Sequence, residues 1–121
     1  MSVTTFKDLK AWQASIAIAK QVYFLTQSFP KHEIYGLSNQ IQRAAVSIPS
    51  NIAEGSARDS TKDFLRFLSI SLGSLAELET QLILAEQLEY IDAVTLRNLL
   101  TKTDEIQRML RGLQKSLKAK L

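Results

Sequence analysis

The sequence predicts an all-α protein, an antiparallel up-down-up-down four-helix bundle with a kink at Pro49 in its second helix. Three observations carry that reading. Apolar residues recur at intervals of three and four in four separate segments, the period of an amphipathic helix. The connections between those segments are short, and short connections make consecutive helices antiparallel. The 121 residues hold only 4 Gly and 2 Pro, too few turn formers for a chain of many short strands. The length predicts a single domain over residues 1–121, and 45% hydrophobic residues are enough for one core and exclude disorder as the main state.

In the first segment Phe6, Leu9, Trp12, Ile16, Ala19 and Tyr23 form one stripe, and Ala14, Ile18, Val22 and Leu25 form a second beside it. Thr5 and Asp8 have the spacing of a capping box. Pro30 pushes the residue before it out of the helical region. The spacing predicts a helix over about Phe6–Ser28, then a loop over Phe29–Ile34.

The second segment carries Leu37, Ile41, Ala44, Ile48 and Ile52 and reads as a helix over about Tyr35–Glu54, with Gly55 as its C-terminal stop. Pro49 lies inside this pattern. It removes the donor to the Ala45 carbonyl and crowds it, which predicts the kink. Ser47, Ser50 and Asn51 flank it and can satisfy freed backbone groups.

The third segment opens at Ser60, with Asp63 in capping-box spacing, and runs through Leu65, Leu68, Leu72, Leu75, Leu78, Leu82 and Ala85. Phe64, Phe67, Ile70 and Ile83 lie off that stripe, so the helix is apolar on more than one side. A lone bundle would leave Phe64, Phe67 or Ile70 partly wet, which predicts self-association. Ser69, Gly73, Ala76 and Thr80 form a stripe of small residues, read as ordinary tight packing. The fourth segment follows a cap at Asp92, and its Leu96, Leu99, Thr103, Ile106, Leu110, Leu113 and Leu117 form an unbroken heptad stripe.

Composition excludes several function classes. There is no Cys, so disulfides, thiolate nucleophiles and zinc–thiolate sites are out. The single histidine, His32, sits with Glu33 in a loop and reads as a solvated pair. The acidic residues of the third helix lack the Glu-x-x-His pairs of a di-metal bundle, and Glu79 and Glu86 read as a solvated face. No glycine-rich phosphate loop is present. The expectation is a protein without catalysis, cofactor or metal. No secretory leader is visible at Met1–Phe6 and no apolar run approaches a bilayer span, so a cytoplasmic protein with no membrane partner is expected.

Charge is more informative. The net charge is +3, yet after Glu105 the chain carries Arg108, Arg111, Lys115, Lys118 and Lys120 and no acid. Arg111, Lys115 and Lys118 share one helical face. In an antiparallel bundle this end meets the start of the third helix, with Lys62, Arg66 and the preceding Arg58. A polyanion could contact all of these at once. Cations at a helix C-terminus also complement its dipole, which is the plainer use of the same residues.

The stretch from Ser47 to Arg58, with Pro49, Asn51, Glu54 and Gly55 inside it, resembles the signature of the four-helix bundle proteins encoded by intervening sequences in bacterial 23S rRNA genes. Tyr35-Gly36-Leu37 with Gln40, Arg43, Ala44 and Ala45 upstream, and Gly73 to Thr80 with Tyr90-Ile91 downstream, are similar to the same family. The resemblance spans about Phe6–Leu113. It implies an up-and-down bundle assembled into a homo-oligomeric ring, a pentamer, and a role with nucleic acid. The accessory protein of diversity-generating retroelements, which works with a reverse transcriptase and RNA, is a relative of that bundle. Two readings follow: a non-catalytic oligomer that binds RNA through its basic surface, or a protein-interaction scaffold, an accessory subunit of a nucleic-acid enzyme, with no direct contact to RNA.

Overall fold

The computed structural model describes residues 5–121 and consists of four α-helices: α1 (Lys10–Thr26), α2 (Leu37–Ser56), α3 (Thr61–Gln87) and α4 (Ala93–Lys118). No strand occurs among the described residues. Each helix packs on two others in the cyclic order α1, α2, α3, α4, and diagonal partners do not approach. This is the expected up-down-up-down bundle. The pairing of α2 with α3 is the closest, and that of α1 with α4 the loosest.

The start of α1 differs from expectation. The Asp8 carboxylate does accept from the Thr5 N–H, at 3.3 Å, but the turn so capped is only the 3-10 turn Phe6–Asp8. Leu9 is extended, with ψ 126°, and the helix begins at Lys10. Phe6 therefore leaves the helical stripe and meets Trp12 edge-on, ring centroids 5.3 Å apart. The helix buries Ala11, Ser15, Ile18, Ala19 and Val22, while Ile16 and Tyr23 are exposed. Of the two stripes, the one through Ile18 and Val22 faces the core.

Between α1 and α2, Glu33 Oε1 accepts from the Leu37 N–H at 3.0 Å and so caps α2. His32 is exposed as expected, but Glu33 is not a solvated loop residue. Pro49 is buried inside α2, and the helix continues past it to Ser56. Around it Ser71 Oγ donates to the Ile48 carbonyl at 2.9 Å, and Asn51 Nδ2 to the Ser47 carbonyl at 2.8 Å. Gly55 does not stop the helix; it lies within the last turn and is buried. A Cβ there would stand 2.6 Å from Phe67 Cβ and 3.0 Å from Phe64 Cδ1. Only glycine lets α3 approach α2 this closely.

The remaining caps are as expected. Ser60 Oγ accepts from the Asp63 N–H at 3.0 Å, and Asp92 Oδ1 from the Thr95 N–H at 2.7 Å. The end of α3 is a Schellman motif: the Tyr90 N–H reaches the Ala85 carbonyl and the Glu89 N–H the Glu86 carbonyl, both at 2.9 Å. Its left-handed position is held by Glu89, with φ 66°.

The core is built from Ile18 and Val22, Ile41, Ile48 and Ile52, Leu68, Leu75, Leu78 and Leu82, and Leu99, Ile106 and Leu110, each nearly free of solvent contact. Each such side chain contributes roughly 1.5–3 kcal/mol on burial. Of the three α3 residues expected to stay partly wet in a lone bundle, Ile70 is exposed, whereas Phe67 is buried. The small stripe Ser69, Gly73, Ala76 and Thr80 is exposed rather than tightly packed: nothing lies within 4 Å of a Cβ placed on Gly73, although Ser69 Oγ accepts from Gln114 Nε2 of α4. Averaged over a window, α3 is long and apolar enough to cross a membrane. The bundle accounts for that composition, because α3 faces both α2 and α4.

Candidate nucleic-acid interface

The topology gives the bundle two unlike ends. At one end the α1–α2 and α3–α4 connections meet: Tyr90 Oη donates to Glu33 Oε2 at 2.8 Å, and its ring lies 5.2 Å from that of Phe29. The N–H of Leu37 and, after it, the hydroxyl of Tyr90 hold the Glu33 carboxyl below its usual value, while the Glu33 carboxylate holds the Tyr90 hydroxyl above its own. The same end exposes Phe24, Ile34 and Tyr35, the last at 94%.

The other end is basic. Two side-chain bonds fix the register of α3 against α4: Gln114 Nε2 donates to Ser69 Oγ at 3.2 Å, and Thr103 Oγ1 donates to Glu79 Oε2 at 2.7 Å. Glu79 is thus tied to α4 and is not part of a solvated acidic face. By this register Arg66 falls level with Ser116 and Leu117, and Lys62 with Lys120. The antiparallel seam therefore brings Lys62 and Arg66 beside Lys115 and Lys118, with Arg58 in the turn just before α3. Arg111 and Arg108 lie one and two turns further toward the middle.

Local contacts divide these cations. The Arg58 and Arg66 guanidinium groups lie 5.0 and 4.7 Å from the centroid of one ring, that of Phe67. Arg58 also pairs with Glu54 at 3.1 Å, and Arg108 with Asp104 at 3.3 Å. Arg111 donates to Gln114 Oε1 at 3.2 Å. Lys62, Lys115 and Lys118 make no ion pair among the described residues. Exposed pairs of this kind contribute at most about 1 kcal/mol, so a phosphate can replace the carboxylate without large cost.

The signature residues serve mostly to fasten α2 to α3. The Ser47 and Ser74 hydroxyls are hydrogen-bonded at 2.8 Å, Asn51 Nδ2 bonds back to Ser47 Oγ at 3.0 Å, and Gly55 admits Phe67. Only Glu54 and Arg58 reach the basic end. Sequence reasoning missed Phe67 as the platform for two arginines and Glu33 as a cap. The flanking Arg66 was the available signal for the first, and Gly36, which leaves room for the Glu33 carboxylate, for the second. Among the described residues no group of three or more His, Asp or Glu could hold a metal ion.

A short-looped antiparallel arrangement of four helices with one cationic end defines an all-α four-helix bundle protein. The family model of the 23S rRNA-intervening sequence proteins matches residues 7–112, and the chain belongs to that family. The crystal structure of a protein of unknown function from the S23 ribosomal protein family of Bacteroides thetaiotaomicron superimposes with a TM-score of 0.79 at 26% identity, over 87% of this chain and 95% of that one. No curated protein matches the chain.

Proposed function

We propose that the protein is a non-catalytic, cytoplasmic, homo-oligomeric bundle that binds RNA through its basic end. The observation that carries this reading is the convergence of Lys62 and Arg66 from the start of α3 with Lys115 and Lys118 from the end of α4. The family's connection with 23S rRNA intervening sequences supports RNA as the polyanion. Oligomerisation, as a pentameric ring or otherwise, would repeat the patch around an axis. Binding of this kind is led by phosphate contacts and has little sequence preference.

Fluorescence anisotropy with single-stranded and structured RNA at several salt concentrations tests it. The logarithm of the affinity should fall with that of salt by near 0.9 per phosphate contact on duplex, or 0.7 on single strands. A variant with Arg111, Lys115 and Lys118 changed to Gln, shown by circular dichroism to be folded, should have a shallower slope. An unchanged slope removes the basic end from the mechanism. Light scattering after gel filtration tests assembly; a 13.6 kDa species at micromolar concentration rules out the ring.

The second reading is a scaffold or accessory subunit for a protein partner such as a reverse transcriptase. It is favoured by the exposed Phe24, Ile34 and Tyr35 at the opposite end. Indifference to RNA together with tight binding to a protein would select it.

A further inference from the structure

The buried hydroxyl side chains among the described residues are those of Ser15, Thr26, Ser38, Ser71 and Thr103. All but one donate within the bundle: Ser15 to the Ala11 carbonyl, Thr26 to the Tyr23 carbonyl, Ser71 to the Ile48 carbonyl and Thr103 to Glu79. Ser38 is the exception. It is only 6% exposed, and its hydroxyl has no hydrogen-bond partner among the described residues. A buried polar group left unpaired forfeits its bonds to water and gains nothing in return. The Ser38 oxygen still has an opening to solvent, because Gln81 Oε1 is the one unpartnered buried side-chain atom that is sealed off.

That opening is a pocket of about 340 Å³ between the end of α1, the following loop and the first two turns of α2. Its volume is near the low end of the roughly 300–1,000 Å³ range of small-molecule sites. Phe29, Pro30 and Ile34 give it an apolar wall, of which Ile34 is 55% exposed. Thr26 and Gln42 close it between the helices, with Gln42 Nε2 donating to Thr26 Oγ1 at 2.9 Å. Lys31 is the one charged residue in the lining and forms no ion pair among the described residues.

Ser38 carries a second free donor. Glu33 caps the Leu37 N–H, and the first backbone bond of α2 runs from the Gln40 N–H to the Gly36 carbonyl. The Ser38 N–H between them has no backbone acceptor. The pocket thus combines the positive end of a 20-residue helix, a buried hydroxyl free to donate, one cation and a hydrocarbon wall. This combination suits an anion with an apolar body. The Glu33 carboxylate beside Leu37 disfavours a doubly charged group such as a phosphate monoester and leaves Lys31 to balance a single negative charge.

We propose that this pocket is a binding site for a small organic monocarboxylate whose body is apolar. The carboxylate accepts from the Ser38 hydroxyl, Lys31 supplies the counter-charge at the rim, and the body covers Pro30 and Ile34. The buried hydroxyl gains its acceptor and the exposed wall its cover. The site lies at the loop end of the bundle, away from the basic end, and does not depend on RNA binding.

An NMR titration of the ¹⁵N-labelled full chain with benzoate, 1-naphthoate and 4-methylpentanoate at millimolar concentration tests it, with the corresponding amides and inorganic phosphate as controls. At least one carboxylate should give saturable shifts confined to residues 26–42. Its amide should bind at least tenfold more weakly, and phosphate should give no saturable shift there. Ser38→Ala should weaken binding of the carboxylate about tenfold, the loss of one hydrogen bond to a charged group. Lys31→Gln, in the exposed loop, should weaken the carboxylate and not the amide, and carries the test if Ser38→Ala does not fold. The proposal is overturned if no carboxylate saturates, if the amide or phosphate binds as well as the carboxylate, or if the folded variants bind as wild type does.

Discussion

Tyr90 Oη donates a hydrogen bond to Glu33 Oε2 at 2.8 Å, and the other oxygen of the same carboxylate caps α2 through the Leu37 N–H at 3.0 Å. One side chain therefore ties the turn after α3 to the first turn of α2. Both bonds favour ionised Glu33, and the bond to Glu33 favours protonated Tyr90.

The pH profile of stability follows from these directions. The Glu33 carboxyl is depressed below 4.5 and the Asp92 carboxyl, held chiefly by the Thr95 N–H, below 3.8. Their contribution is present above those values and is lost as pH falls through the folded ones. The Tyr90 hydroxyl is raised above 10.0, so its contribution is present below that value and lost as pH rises through the folded one. Thermal melts across pH should show both limbs. Tyr90→Phe should remove the alkaline limb and keep most of the acid one, since the Leu37 N–H remains the larger cause of the shift in Glu33.

Gly55→Ala should destabilise the bundle by about 1–3 kcal/mol, the usual cost of overpacking. The added Cβ would meet Phe67 Cβ at 2.6 Å, next to the α3 backbone, where no side-chain rotation relieves it. Urea unfolding measures the loss. A stability equal to wild type would show that the α2–α3 approach is looser than the structure has it.

Glu89→Gly should act in the other direction. Glu89 holds the left-handed position of the Schellman motif at φ 66°, which costs a residue with a side chain about 1 kcal/mol. Glycine there should raise the melting temperature without changing helix content by circular dichroism.

Pro49→Ala returns an N–H to the Ala45 carbonyl and should also stabilise. The gain in helix propensity of about 3 kcal/mol is partly offset by roughly 1.6 kcal/mol for two buried methylenes lost. A net gain near 1 kcal/mol is expected in urea unfolding. A loss would show that α2 depends on the shape of the proline.

Phe67→Leu tests the arginine platform apart from its charge. The ring holds Arg58 and Arg66 at 5.0 and 4.7 Å from its centroid. Without it RNA affinity at fixed salt should fall roughly threefold per arginine, with the salt slope unchanged because no phosphate contact is deleted.

The parts of the fold set by local chemistry were legible in the sequence. The α4 heptad from Leu96 to Leu117 states its own buried face, and Ser60 and Asp92 announce helix starts because few other residue types satisfy the free N–H groups there. Tertiary choices were not legible. Two apolar stripes run along α1, and only the positions of α2 and α4 decide that Ile18 rather than Ile16 is covered. Gly55 near the end of a helix suits a stop and a close contact equally well, and the distance to Phe67 decides. At the candidate site, the cluster of Lys62 and Arg66 with Lys115 and Lys118 followed from antiparallel topology alone. The role of Phe67 beneath Arg58 and Arg66 required side-chain positions. The pocket beside Ser38 left no pattern at all, since an unmet hydroxyl is a property of surroundings.

The α3–α4 seam is fastened differently from α2–α3. One serine pair, a serine-to-carbonyl bond and the bare glycine contact lock α2 to α3 along their length, whereas α4 is held to α3 by a leucine row and the two polar bonds from Thr103 and Gln114. In hydrogen exchange α4 would then be the first helix to open and the α2–α3 hairpin the last. A polyanion lying across Arg66 and Lys115 bridges that weaker seam. Part of its binding free energy would go into holding α4 shut, so slowed amide exchange along α4 would report occupancy of the basic end even for a ligand that changes no average position in the fold.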